Sequence, residues 1–512
     1  MTATAASTSY DQVPYTSLPI PNTHVGRMAA VAALLGRACA PADRCRVLEI
    51  GCASGVNLMA MAQQLPESEF LGIDASARQI EAGRALAAQA GIGNLRLEPL
   101  SVAQAGEDLG QFDYFICHGV YSWVSTETQE QILRAVKERL APQGIALVSY
   151  NVLPGWAVPA ELRRMLLYRA RRFSGPLGKV RAARELMAAM EKSLEGREDG
   201  WSRAMGQLLV RLRTTPDDYV YHEYLEAENA PCHFHEFAAR GETHGLGYLA
   251  EADFYTYMGV ALPAAQRALI GRLSADPIEF EQHADFIVDR AFRSSLLVHG
   301  AHPDLARTDP QRLKALHLTA SATVGQDAEG QTVFAAVSGL KLKPNADELR
   351  AALMALVEAA PRSLAFEELC ADVERRIGRS PDGDRLAADL HAALECGALT
   401  ASTLATPVPA SLPERPVASA LARALAATHD ALPTLAHGAV KLDALTRLAL
   451  LYLDGSRSGA ELTEFLAGEL PRRGLDLRQE GRAVGKDEMA RLLPGAVEGA
   501  LKTLHRAALI TG

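Results

Sequence analysis

Two short runs carry the residues best suited to chemistry, VLEIGCASG at 47–55 and FLGID at 70–74. The first is an apolar stretch with one acid, Glu49, that turns through Gly51, Cys52, Ala53, Ser54 and Gly55 into a helix-like pattern. The second ends on Asp74. Gly51 and Gly55 let the backbone approach a ligand closely, and a carboxylate at the tip of the next strand can take two ribose hydroxyls. Dinucleotide turns instead use G-x-G-x-x-G and seat a pyrophosphate on the helix end. That spacing is missing here, and Glu49 disfavours a phosphate while favouring an ammonium or sulfonium. The expected ligand is therefore S-adenosylmethionine.

These residues need strands to hold them. Apolar runs at 46–51, 70–74, 95–100, 112–117 and 145–150 read as strands, alternating with helical patterns at 57–65, 78–90 and 128–140. The alternation predicts a Rossmann-like, doubly wound parallel sheet, whose ligands bind at the carboxyl ends of the strands. Those ends are Gly51, Asp74, Ser101, His118 and Asn151. The fold class expected is α/β, a methyltransferase-type core with a helical insertion, followed by α+β winged-helix-like C-terminal domains. The expected divisions are an N-terminal arm (1–21), the core (22–157), a helical insertion (158–228), the end of the core with a regulatory-type region (229–303), a winged-helix-like domain (304–400), a linker (401–415) and a helical domain (416–512). Residues 245–253 read as an antiparallel edge strand and 280–292 as helix.

Composition narrows the partners. The chain has 512 residues, 48% hydrophobic and 22% charged, with a formal net charge of −9 and no broad basic face, which argues against nucleic acid. Seven cysteines without paired metal spacing suggest reduced thiols and a cytoplasmic setting. His222, His233 and His235 lack a completing cluster, so no metal site is expected. No window approaches the roughly 20 apolar residues of a membrane span, and no signal peptide is evident.

The run VLEIGCASG followed by FLGIDAS resembles motifs I and II of class I S-adenosylmethionine-dependent methyltransferases. YDQVPYTSLPIPNTH, FDYFICHGVYSWV, GIALVSYNVLPGW and NAPCHFHEF further resemble bacterial methyltransferases with a methyltransferase regulatory domain, among them the rickettsial protein-lysine methyltransferases. The resemblance covers about 10–299. It implies methyl transfer and, in the rickettsial relatives, a dimer, so a homodimer is one expected assembly. It also implies that Glu49, Gly51, Cys52 and Gly55 cradle the methionyl end and that Asp74 holds the ribose, with Ala75 and Ser76 nearby. By the same resemblance Ser101 and Val102 border the adenine, and His118 and Gly119 lie beside the sulfonium. Two positions depart from the family pattern: Ala53 replaces the usual middle glycine, and Val25 stands where proline often follows Thr-His.

Methyl transfer needs in-line placement more than acid–base help, because the sulfonium is already activated. A lysine nucleophile must be neutral, which desolvation favours. Tyr121, Trp123, Tyr150 and Trp156 are the candidate aromatic wall, with His118 or Tyr121 as proton acceptor and Asn151 orienting the nucleophile. Tyr10 and Tyr15, on a proline-stiffened arm, are candidates for a lid over the cofactor. The leading expectation is a protein-lysine methyltransferase. The alternatives are an enzyme for a small-molecule hydroxyl or amine, and a catalytically silent cofactor-binding regulator.

Overall fold

The computed structural model describes residues 13, 17–259, 262–302, 308–474, 478–479, 482–483 and 486–511. Its centre is a seven-stranded sheet built from β1 (Arg46–Ile50), β2 (Glu69–Ile73), β3 (Leu95–Glu98), β4 (Phe112–Cys117), β5 (Leu140–Asn151), β6 (Leu246–Glu251) and β7 (Phe292–His299). The spatial order is β3-β2-β1-β4-β5-β7-β6. The first five strands are parallel, and β7 runs antiparallel to both β5 and β6.

Crossover helices explain the parallel pairing. A largely buried α1 (Val25–Leu34) precedes the sheet, and α2 (Val56–Ala62), α3 (Ala77–Gln89) and α4 (Thr126–Arg139) connect its strands. All seven residues of α2 are buried, which a helix covered on every side requires. Ser76 caps α3 by accepting from Gln79 N at 3.2 Å, and Ser125 caps α4 through Thr128 N.

The insertion forms four helices, α5 (Ala157–Ala170), α6 (Pro176–Leu194), α7 (Gly200–Leu212) and α8 (Asp217–Tyr224), with a small core of their own. A further helix, α9 (Phe234–Thr243), leads into β6, and α10 (Ala264–Leu273) and α11 (Pro277–Val288) lead into β7. Here the sequence reading needs correction. Residues 280–292 are not one helix: α11 stops at Val288, where Asp289 takes a left-handed φ of 52°, and β7 follows. After Phe292 the strand runs through Arg293, Ser294 and Ser295, all buried, so its first half lacks the apolar pattern of an interior strand.

Beyond the sheet, β8 (His317–Ala320) pairs with β12 (Leu364–Ala365) and β13 (Leu399–Ser402). A β9–β10–β11 meander (Thr323–Gln326, Thr332–Ala335, Lys341–Leu342) and helices α12 (Asp347–Ala359), α13 (Phe366–Ile377) and α14 (Gly383–Glu395) complete this unit. Residues 403–415 are no free tether: Thr403 N donates to Gly26 O, Thr406 N to Ser363 Oγ, and Val408 is buried. The last segment holds α15 (Ala420–Leu425), a hairpin of β14 (Ala431–Pro433) and β15 (Ala439–Lys441), and three later helices, Ala444–Leu451, Gly459–Arg472 and Lys486–Arg506. A single apolar core runs from Val25 to Ile510 and joins these parts to the sheet.

Candidate active site

The turn after β1 has the backbone that the glycines require. Gly51 and Gly55 take φ of 70° and 75°. A Cβ on Gly51 would stand 2.4 Å from Val120 Cγ2, and one on Gly55 2.7 Å from Leu97 Cδ2, so neither position admits a side chain without movement. Ala53 adopts a left-handed φ of 51° in place of the usual glycine. Its N–H donates to Asp74 Oδ2 at 2.9 Å, while Ser76 N donates to Asp74 Oδ1 at 2.8 Å. Asp74 is half-buried and Ala75 exposed. The carboxylate therefore stitches the tip of β2 to the glycine turn.

Glu49 is buried in β1. Oε1 accepts from Asn57 Nδ2 at 2.9 Å, and Oε2 has no partner among the described residues. Burial pushes its pKa up to about 8; the Asn57 hydrogen bond opposes this and the Asp74 charge adds to it. A buried carboxylate oxygen without a donor, one strand from Asp74, suits the ammonium of an amino-acid tail. The Cys52 thiol is buried too, its pKa raised well above the ordinary range by desolvation, which makes it packing rather than a nucleophile. After β3, Ser101 and Val102 are half-buried, and Gln104 Oε1 accepts from both the N–H and the hydroxyl of Ser101.

At the tip of β4, Gly119 is exposed at φ 70° and its N–H donates to Ser149 Oγ at 2.8 Å. His118 is half-buried, with its ring 5.7 Å from Phe292, and burial lowers its pKa to about 4, so the imidazole is neutral at pH 7. Trp123 meets Trp156 edge-to-face at 6.3 Å, and Trp156 Nε1 donates to Asn229 Oδ1 at 3.0 Å. Asn151 is buried; its backbone N–H donates to Ser122 Oγ, and Nδ2 has no partner among the described residues. Residues 230–232 run across this end, with Ala230 N donating to Ser122 O and Cys232 N to Asn151 O.

Tyr121 does not join that wall. It is fully buried, edge-on to Phe237 at 5.3 Å and to Tyr150 at 6.1 Å, while Tyr150 stacks on Phe237 at 3.9 Å. Burial raises the Tyr121 hydroxyl to about 12, so neither contact nor basicity fits a proton acceptor. Both tyrosines pack the sheet against α9. Tyr10 and Tyr15 lie outside the described residues. His222 is held by Glu226 Oε1 and Val13 O, and His235 by Gln282 Oε1; among the described residues no group of three could hold a metal.

Asn57 and Thr23 escaped the sequence reading. Asn57 is the one polar residue in the apolar run VNLMAMA, and it follows the glycine turn directly; that was the available signal. Thr23 carried no comparable signal; it precedes His24, which caps α1 with its Nδ1 accepting from Gly26 N at 3.2 Å.

Comparison with known proteins agrees with this geometry. The "Methyltransferase domain" family model matches residues 48–146, "Predicted methyltransferase regulatory domain" matches 216–299, and "PKMT, C-terminal winged helix domain" matches 414–509. The winged-helix match thus falls on the segment read from sequence as the C-terminal helical domain; the β14–β15 hairpin lies within it. Uncharacterized protein RP028 of Rickettsia prowazekii is 37% identical over 234 residues, which are 46% of this chain and 94% of that one. Uncharacterized protein RP789 of the same organism is 34% identical over 291 residues, 57% of this chain but only 52% of its own length, so the match spans about half of that relative. PKMT2 from Rickettsia typhi superimposes with a TM-score of 0.86 at 25% identity, over 97% of this chain and 100% of that one. Its structure in complex with AdoHcy matches over 98% of this chain and 100% of that one, at 25% identity and a TM-score of 0.85. The cofactor is S-adenosylmethionine, and the residues at the strand tips fit it. The chain belongs to the class I S-adenosylmethionine-dependent methyltransferases that carry a methyltransferase regulatory domain.

Proposed function

We propose that this methyltransferase acts on lysine side chains of a protein. The observation that carries the reading is the reach of the PKMT2 likeness, which runs through 97% of the chain rather than stopping at the methyltransferase domain. S-adenosylmethionine, when bound, supplies a methyl group on an already activated sulfonium. Glu49 Oε2 receives the ammonium of its tail and Asp74 the ribose hydroxyls, while Ser101 and Val102 border the adenine. Gly119, where a Cβ would meet nothing within 4 Å, leaves space beside the sulfonium. On the acceptor side the half-buried Trp123 and the buried Trp156 limit water, which favours the neutral amine that in-line displacement requires. The neutral His118 imidazole adds no cation beside the sulfonium, and Nδ2 of Asn151, without a partner among the described residues, can orient the acceptor.

The test is incubation of the purified protein with methyl-labelled donor and cell extract, followed by size separation and acid hydrolysis of the labelled fraction. Label in protein, recovered as methylated lysine, is expected. Label confined to small molecules points to a natural-product acceptor, and donor binding without label to a silent regulator; either result overturns the proposal.

A further inference from the structure

A chain of buried polar groups leads from the C-terminal segment into the donor site. Its inner end is Glu49, whose Oε1 accepts from Asn57 Nδ2 at 2.9 Å. Asn57 cannot be flipped without loss, because its Oδ1 accepts from Ile20 N at 3.0 Å and faces Thr23 Oγ1 at 3.0 Å. A backbone N–H can only donate, so the amide oxygen must face it and the NH2 must face Glu49. Thr23 Oγ1 also lies 2.8 Å from Ile20 O and 3.4 Å from His437 Nε2. The hydroxyl proton has only acceptors to choose from on the Ile20 and Asn57 sides, so Nε2–H of His437 is the donor to Thr23. All four side chains are at least nine-tenths buried.

The outer end is built with equal care. His437 sits in the turn between β14 and β15, inside the segment that the winged-helix family matches. It holds a left-handed φ of 56°, costly for a residue with a Cβ and kept only where the surroundings enforce it. Three hydrogen bonds enforce it: His437 N to Thr434 O, Thr434 N to Gly438 O and Gly438 N to Thr434 Oγ1. Leu435 N donates to Ala508 O and ties the turn to the end of the chain. The ring then packs edge-on to His24 at 5.1 Å, and its Nδ1 has no partner among the described residues, as the Nε2–H tautomer allows.

We propose that Asn57, Thr23 and His437 are positioning residues for donor binding, and that the C-terminal segment thereby sets the Glu49 carboxyl that receives the donor's ammonium. The proposal rests on the reading of Glu49 given above. Without the relay, Glu49 has other rotamers open to it, and the oxygen facing the donor is no longer fixed.

The experiment compares two ligands by calorimetry: S-adenosylhomocysteine, which carries the amino-acid tail, and 5′-methylthioadenosine, which shares the nucleoside but lacks that tail. Thr23→Val keeps the shape and removes the hydroxyl. It should weaken S-adenosylhomocysteine about three- to tenfold, the worth of one ordinary hydrogen bond, and leave methylthioadenosine unchanged. His437→Leu should do the same, and Thr23→Ser should restore wild-type affinity. In a Glu49→Gln background Thr23→Val should add nothing, because it acts through Glu49. Equal loss for both ligands, or an undiminished effect in the Glu49→Gln background, overturns the relay. If Glu49→Gln itself leaves the tail's contribution intact, the reading of Glu49 fails instead. Should His437→Leu not fold, the Thr23 pair and the double variant still decide the matter.

Discussion

At the scale of single residues, Glu49 has the most to say about pH. Its carboxyl holds its proton up to about pH 8 because burial penalises the charged form. An ammonium binds the ionised form, so donor binding must drive a proton off, and affinity should rise with pH below that value. The expected slope is about tenfold per pH unit up to about pH 7 and flattens as the pH nears 8. Calorimetry of S-adenosylhomocysteine in buffers of different ionisation enthalpy reads the released proton directly, and Glu49→Gln should abolish both the slope and the release. Asp74 makes a second test. Asp74→Ala removes the acceptor of two backbone N–H groups and, on the proposed reading, of the ribose hydroxyls, and should weaken the same ligand by ~1–3 kcal/mol. Tyr121 makes a third, in the opposite direction. Among the described residues its hydroxyl meets only Arg240 Nη1, at a long 3.5 Å, so Tyr121→Phe should leave kcat within about twofold, whereas a fall of more than about a hundredfold returns it to the catalytic set. The sequence made Glu49 and Asp74 legible because their positions follow from a strand–turn–helix grammar that is local. It misplaced Tyr121 because burial there depends on Phe237, on a helix far along the chain, which no local pattern reveals.

At the scale of elements, the parallel strands could be read from apolar runs of strand length, and β7 could not. The residues just after Phe292 are polar because they are satisfied across three elements. Arg293 donates to Glu251 at the end of β6 and to Glu281 and Asp285 on α11, each at 2.7–2.8 Å, and its guanidinium lies 4.0 Å over the Phe234 ring. Arg290 adds a second cation on Asp285 at 2.6 Å. Ser295 Oγ donates to Glu251 and also meets Tyr150 OH at 2.9 Å, so the cluster reaches into β5. A strand of this kind is defined by partners remote in sequence, and periodicity is blind to it. Removing the shared cation takes the Arg293 partner from three buried carboxyls, Glu251, Glu281 and Asp285. Arg293→Met should therefore cost about 3–5 kcal/mol in a denaturant titration, far more than a surface pair such as Arg44 and Glu67 could. A midpoint close to wild type for Arg293→Met would mean that the carboxyls accept protons at little cost.

At the scale of the whole molecule, the question is whether the C-terminal segment is an appendage or part of the enzyme. An appendage would keep a core of its own, joined by exposed linker. Instead the apolar core is continuous from Val25 to Ile510, residues 403–408 are hydrogen-bonded to Gly26 and Ser363, and Ser419 Oγ donates to Gln63 Oε1 at 3.0 Å just beyond α2. Contacts of this kind couple the segments in unfolding as well as in binding. Calorimetric unfolding should accordingly show one transition for the methyltransferase and winged-helix segments together. Saturation with S-adenosylhomocysteine at a hundred times its Kd adds about 2.7 kcal/mol to the folded state. Spread over a chain of this size, that gain corresponds to a rise of about 2–3 °C in Tm. The proposed donor site lies at the strand tips, so a shift of the entire transition requires the distant segment to be held by the same cooperative unit. Two transitions, with the donor moving only one of them, would separate the C-terminal segment from the donor site and leave the buried path through Thr23 and Asn57 without a thermodynamic role.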